Sequence, residues 1–592
     1  MHRYVSPFIA THLNIMKNLN SWRASFAFSI LLTLIACTPP VEKSTQETPP
    51  PPAVDAAQVN KPQIAYAMPE RNAAEAVEKV LLGGGNAIDA AVTAAFVLAV
   101  THSVAGNLGG GGFLLTRMDG DMHFLDYREK APVAASRDMY LDEDGEVIKH
   151  NSLVGIRASG VPGTVYGFWQ AHQKFGTKPW AELIAPAIEL ASEGFEVHPK
   201  RAQGIPEMAE WFGDQINFMQ YFGAVQKGGI FKQPELADTL TRIAEQGPDD
   251  FYHGETARLL VSQMERDSGL ITAQDLADYQ SVWRAPLVGH WRDYTVVSAP
   301  PPSSGGFAVV HLLKMKEFLQ DKFAGLKHNS AQYVHLVAEM EKRVFADRAV
   351  YFGDPDFIDI PLDELMDEDY IKRRAAQVQV NTISTTEKSN PGLESPNTTH
   401  FSIIDRWGNA VSNTYSLNYI YGSGVVVEGA GFLLNNTMDD FSSKAGVTNI
   451  YGVVGDKANE IQPSRRPLSS MSPTILLKDD RVDMVVGTPG GSTIFTSVFQ
   501  AIVNVVDFDM TPAKAVSASL FHHQLVEPDL ITESIVAPLS EKTKSELRER
   551  GYRVQPHSFD FGDLQLIARY HGQLSAASNP HRIGVAKVLE VE

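Results

Sequence analysis

The stretch NTTHFSIIDRWGNAVSNTYSL, residues 397–417, decides how this chain is read. Residues 399–405 and 410–417 are rich in β-branched and aromatic side chains and flank Trp407-Gly408-Asn409, which predicts a β-hairpin. The preceding residues, 382–396, are polar, broken by Pro391 and Pro396, and expected to be exposed. A threonine becomes a nucleophile when its own α-amine is free to take the hydroxyl proton. An internal threonine has no such amine, so the chain must be cut just before it, at an exposed segment leading into a strand. The bond between Asn397 and Thr398 has that setting. Threonine is equally an ordinary first residue of a strand, and the residues alone leave both readings open.

Other routes to an acyl-transfer nucleophile are closed. No Gly-x-Ser-x-Gly elbow occurs, and the single cysteine, Cys37, sits in a leader-like segment. Further on, residues 481–486 read as an apolar strand, Gly487-Thr488-Pro489-Gly490-Gly491-Ser492 as a turn, and residues 493–506 as a buried helix. In that context the Gly490 and Gly491 amides can face outward near a helix N-terminus, which suits a developing oxyanion; a plain tight turn fits the same residues. Neither this loop nor residues 107–112 ends in the Gly-Lys-Ser/Thr of a phosphate loop, so nucleotide binding is not expected. No metal or cofactor is expected either: there is no His-Glu-x-x-His, His522 and His523 are adjacent, and Asp354, Asp356 and Asp359 read as a solvated acidic turn.

The chain has 592 residues, 44% hydrophobic and 20% charged, which excludes a mainly disordered or multi-span membrane protein. With 51 Lys+Arg against 70 Asp+Glu, nucleic acid is not an expected partner. Residues 1–36 run against that acidity, with Arg3, Lys17 and Arg23 and no acid. The thirteen residues 24–36 are largely apolar, too few to span a bilayer but suited to a signal-peptide core, and Leu34-Ile35-Ala36-Cys37 resembles a bacterial lipobox. The expected division is a lipoprotein signal peptide over 1–36, lipidation at Cys37, and a Pro-rich tether over 37–57. An exported, lipid-anchored protein facing the periplasm is expected, and because Thr38 rather than Asp follows the cysteine, the membrane expected in a cell that is Gram-negative is the outer one. In the first half, helices are predicted over 71–82 and 87–100, the second capped by Asn86 and buried all round. A strand is predicted over 113–118, and Tyr333, Leu336, Val337, Met340 and Val344 space out an amphipathic helix.

Taken together, residues 397–418, 435–442, 466–473 and 487–492 resemble the small-subunit signature of the γ-glutamyltransferase (γ-glutamyl transpeptidase) family. Residues 84–91, 105–114, 126–132, 160–167 and 346–357 are similar to other motifs of that family. The resemblance implies an α+β fold, the four-layer αββα sandwich of N-terminal-nucleophile hydrolases. It also implies a precursor that cuts itself between Asn397 and Thr398 into a large subunit (58–397) and a small catalytic one (398–592), which stay together as a heterodimer.

The implied activity is cleavage of the γ-glutamyl amide of glutathione through an ester on Thr398, passed to water or to an amino acid or peptide. Gly490 and Gly491 would hold the oxyanion. Arg128, Ser469 and Ser470 would take the donor's α-carboxylate, and Asn418 and Asp440 its α-amino group. Two positions depart from the family pattern: Ser416 replaces a common second active-site threonine, and Thr437 stands where many members carry Gln or Glu to reach the α-amino group. Residues 444–455, with Tyr451, resemble the lid that favours glutathione-like substrates. The alternatives are a poly-γ-glutamate depolymerase or cephalosporin acylase of the same superfamily, and a non-catalytic envelope lipoprotein that binds peptides.

Overall fold

A computed structural model describes residues 61–214, 216–385, 398–444, 457–525 and 527–592. Cys37 with the expected leader and tether, Asn397, and Tyr451 lie outside the described residues. Two antiparallel sheets make the centre. The first has seven strands in the order Val585–Glu590, Gln63–Met68, Thr398–Ile404, Ala410–Ser416, Gly111–Met118, Asp121–Tyr127 and Val282–Arg284. The second has six, in the order Gln573–Ser578, Gln565–Tyr570, Arg481–Gly487, Thr474–Lys478, Tyr294–Ser298 and Leu287–Trp291.

The period of two along each strand sorts side chains to the two faces of the first sheet. Leu114, Leu125, Phe401, Ile403, Val411 and Tyr415 enter a core with the helices Arg71–Leu82 and Ala87–Thr101. Phe113, Leu115, Phe124, Ile404 and Ala410 turn the other way, into a core shared with the second sheet and the helices Gly305–Phe318, Ala331–Tyr351 and Thr493–Val506. Helices therefore cover both outer faces of a two-sheet stack. Both sheets contain strands from before and from after residue 397, so the two expected subunits share their cores.

The predicted hairpin forms with Thr398 opposite Ser416. Its turn is fixed by Asp405, whose carboxylate accepts from the amides of Trp407 and Asn409 at 2.9 and 3.0 Å and from the amide of Ala87 at 3.0 Å. The last bond ties the hairpin to the N-terminus of the buried helix Ala87–Thr101, which Asn86 and Asp89 close with a capping box. The helices over 71–82 and 493–506 form where the sequence places them.

Two sequence expectations are corrected. The helix Ala331–Tyr351 is not amphipathic but buried nearly all round, because Glu339 pairs with Lys342 and Arg343 and so carries charge into the interior. Asp354 is not a solvated turn residue: it is fully buried, and it accepts from the backbone amides of Asp356 at 3.0 Å and Arg466 at 2.7 Å.

Near Thr398 the contact between the sheets is polar. The Ser402 hydroxyl donates to Gln565 O at 3.1 Å, so it accepts from His400 Nε2–H, and His400 Nδ1 accepts from the Thr414 hydroxyl at 2.7 Å. Burial pushes the His400 imidazole down to about 3, so it is neutral in the folded protein. An unfolded chain protonates this histidine near pH 6.5, so its contribution to stability is complete above that pH and is lost as the pH falls toward 3. The stability margin of the wild type over His400→Asn is therefore expected to shrink between pH 6.5 and 4, by up to ~1.4 kcal/mol per pH unit. Thermal unfolding of both proteins across that range checks it, and a constant margin contradicts it.

Candidate active site

Thr398 opens a strand in which His400 and Ser402 face the second sheet, and alternation sends its own side chain the same way. Its hydroxyl donates to Ser416 Oγ at 3.3 Å across the hairpin, and Ser416 Oγ also accepts from the Asn418 amide at 2.8 Å. Ser416 thus orients the Thr398 oxygen from the neighbouring strand. Asn418, in the left-handed region at φ 77°, donates through its side chain to Asn436 O at 3.0 Å.

The Gly-rich turn arrives at the same end of the hairpin for a steric reason. Gly487 closes the strand Arg481–Gly487 directly against the His400 ring, where any Cβ would collide with the imidazole. The turn that follows therefore passes beside the start of the Thr398 strand. Gly490 O accepts from Thr493 N at 3.0 Å and Gly491 O from Ile494 N at 3.2 Å, so both carbonyls point into the helix Thr493–Val506. Among the described residues neither glycine amide donates within the protein. Gly490, at φ 139°, adopts a backbone that a side chain disfavours.

Sequence reasoning missed what braces this turn. Ser492 donates to Gln524 Oε1 at 2.8 Å and meets His522 Nε2 at 3.3 Å, while His522 Nδ1 meets Thr496 Oγ1 at 3.0 Å. Burial pushes His522 down to about 4, which keeps it neutral. Of the two adjacent histidines, His522 thus holds the turn.

The polar wall lies on segments far apart in sequence. Arg128, 2% exposed, is in contact with the Asp440 carboxylate and donates to Glu129 Oε2 at 3.2 Å. Burial raises the Asp440 carboxyl, with Arg128 pulling against it. Burial pushes Glu129 up to about 7, again opposed by Arg128.

Ser470 Oγ accepts from Arg348 Nη2 at 3.2 Å, and Ser469 Oγ accepts from the Met471 amide at 3.1 Å. Asp354, through the Arg466 amide, fixes the segment that leads into these serines. Thr437 is fully buried and its hydroxyl donates to Asn435 Oδ1 at 2.7 Å, so this side chain stands within the wall. Asn435 also donates to Gly109 O and Gly160 O, both at 2.8 Å, which ties the Gly-rich residues 107–112 to the wall. Among the described residues no group of His, Cys, Asp and Glu could hold a metal ion.

A strand-initial threonine, a cross-strand hydroxyl and a turn with two glycine amides not engaged among the described residues, set in a helix-covered two-sheet stack, define a hydrolase of the N-terminal-nucleophile class. The family model for γ-glutamyltranspeptidase matches residues 73–589, and the chain belongs to that family. It is 54% identical over 526 residues to a glutathione hydrolase proenzyme of Pseudomonas aeruginosa, covering 89% of this chain and 94% of that protein. Among solved structures, the γ-glutamyltranspeptidase of Pseudomonas nitroreducens complexed with L-DON is 53% identical, with a TM-score of 0.54, over 54% of this chain and 96% of that one. A cephalosporin acylase of Bacillus halodurans, 24% identical with a TM-score of 0.77, shares the fold over 92% of this chain and 99% of its own.

The turn geometry makes a direct prediction. A Cβ at Gly490 would strike Thr493 Oγ1 on a backbone that already disfavours one. Gly490→Ala is expected to lower kcat about 10²-fold with little change in KM, the loss that follows removal of one oxyanion donor. Steady-state rates of the matured protein measure it, and an unchanged kcat would remove these amides from the mechanism.

Proposed function

We infer that this chain is a self-processing γ-glutamyltransferase and glutathione hydrolase. The observation that carries the reading is Thr398 at the first position of a buried strand, its hydroxyl held by Ser416 beside the Gly490-Gly491 turn. Cleavage of the bond from Asn397 frees the Thr398 amine. That amine takes the hydroxyl proton as Oγ attacks the γ-carbonyl of the donor. The Gly490 and Gly491 amides receive the negative charge that develops on the carbonyl oxygen. The C–N bond then breaks, the leaving amine takes a proton, and a γ-glutamyl ester stays on Thr398. Water, or the amine of an amino acid or peptide, attacks the ester and restores the hydroxyl.

The head of the donor carries a carboxylate and an ammonium, and Arg128 and Asp440 form an ion pair with each other. We assign the α-carboxylate to Arg128, Ser469 and Ser470, and the α-amino group to Asn418 and Asp440. A zwitterion entering between Arg128 and Asp440 replaces one internal ion pair with two external ones, so neither charge is left uncompensated in a poorly solvated site. Thr437, bonded to Asn435, shapes the wall behind these groups. Tyr451 belongs to the segment assigned as a lid over the site.

Thr398→Ala is expected to yield one uncut chain, with glutathione hydrolysis falling to background. Intact mass and glutamate release read both, and hydrolysis retained by the variant would overturn the assignment. The lipobox-like sequence at Cys37 supports a lipid-anchored enzyme on the periplasmic side of the envelope. Cys37→Ser is then expected to move the protein from the membrane fraction to the soluble one, and an unchanged distribution would refute the anchor.

A further inference from the structure

Arg348 lies in the last turn of the helix Ala331–Tyr351 and is 5% exposed, yet its guanidinium reaches the serines of the donor wall. Nη2 donates to Ser470 Oγ at 3.2 Å and Nε donates to Ser304 Oγ at 2.9 Å. Ser304 passes the contact on, since its hydroxyl and its amide both donate to Ser469 O, at 3.1 and 2.9 Å. The Ser469 amide donates to Pro302 O at 2.9 Å. One planar cation therefore grips both halves of the Ser469-Ser470 turn, the second directly and the first through Ser304.

This grip has a chemical consequence for Ser470. A serine hydroxyl has one proton and two lone pairs. With a lone pair of Ser470 accepting from a charged donor, its proton is left to point elsewhere, and acceptance from a cation strengthens it as a donor. Ser470 is 8% exposed. The field of Arg348 is also felt across the site: burial raises the Asp440 carboxyl, and Arg128 and then Arg348 oppose that rise.

We propose that Arg348 is a positioning residue that sets specificity for acyl donors bearing an α-carboxylate, by holding the Ser470 hydroxyl as a donor to that carboxylate and placing a second guanidinium charge behind it. The proposal rests on the assignment of the α-carboxylate to Arg128, Ser469 and Ser470. Swapping the carboxylate for a neutral carboxamide should remove most of what Arg348 contributes, because the charge is gone while the shape remains.

The test uses the matured heterodimer and competitive inhibition of γ-glutamyl-p-nitroanilide hydrolysis by L-glutamate and by its α-carboxamide, L-isoglutamine. Arg348→Gln is expected to weaken L-glutamate about 10- to 100-fold, the range for a hydrogen bond to a charged group, while L-isoglutamine changes by less than about 3-fold. Arg348→Lys, which keeps the charge but loses the fork, is expected to lie between wild type and Arg348→Gln. A residue that merely supports the fold would weaken both inhibitors equally, and that result overturns the proposal.

Arg128→Gln is measured alongside. If it weakens only L-glutamate while Arg348→Gln weakens both alike, the proposal alone fails. If Arg128→Gln also fails to discriminate, the carboxylate assignment fails with it. Should Arg348→Gln not mature, Ser304→Ala releases the Nε arm while leaving the charge. It is then expected to lower the preference for L-glutamate over L-isoglutamine about 3-fold or more, the loss of one hydrogen bond, and an unchanged preference would count against the proposal.

Discussion

The pairing of Thr398 with Ser416 inside the first sheet is the constraint on which the rest depends. A nucleophile that must also be a chain terminus faces a physical conflict, because chain ends are ordinarily poorly ordered. Here the strand that begins at Thr398 pairs along its whole length with Ala410–Ser416, and its far end, Ser402–Ile404, pairs also with Gln63–Met68, which anchors it from the other side. Its side chains at 401, 403 and 404 are fixed in two different cores. The register that buries those residues also sets the Thr398 hydroxyl against Ser416. Slipping by one residue would turn every side chain to the wrong face.

The second sheet is joined to the first by polar contacts at this end, and those contacts aim the oxyanion turn. His400, neutral because it is buried, leaves room only for a glycine at 487, and the turn follows from there. Ser492, His522 and Gln524 then hold the far side of the turn. The opposite wall is built by a different principle, in which buried charges compensate one another: Arg128 with Asp440 and Glu129. Such groups are costly to bury and are held in one arrangement by their partners, as recognition of a small zwitterion requires.

Much of this was legible in the sequence where local signals are strong. The hairpin around Trp407-Gly408-Asn409, the Asn86 cap, and the strand, glycine turn and helix from 481 to 506 all appear as read, because alternation, capping and glycine punctuation are local codes. The site was legible only in part, since ordered motifs announce residues but not their contacts. Nothing near Arg348 reveals that it reaches Ser470, 122 positions away, and nothing near Asp354 tells that it accepts from the Arg466 amide. The helix Ala331–Tyr351 was misjudged for the same reason, because its charged residues find partners within the interior and so do not mark a wet face.

The central claim is that Thr398 becomes a chain terminus and the acyl carrier, and one measurement addresses both halves of it. The folded wild-type protein is treated with an electrophilic glutamine analogue and analysed by intact mass and fragment sequencing. The account predicts a fragment that begins at Thr398 and carries a single adduct on that residue. An uncut chain, or an adduct on any other side chain, would contradict it.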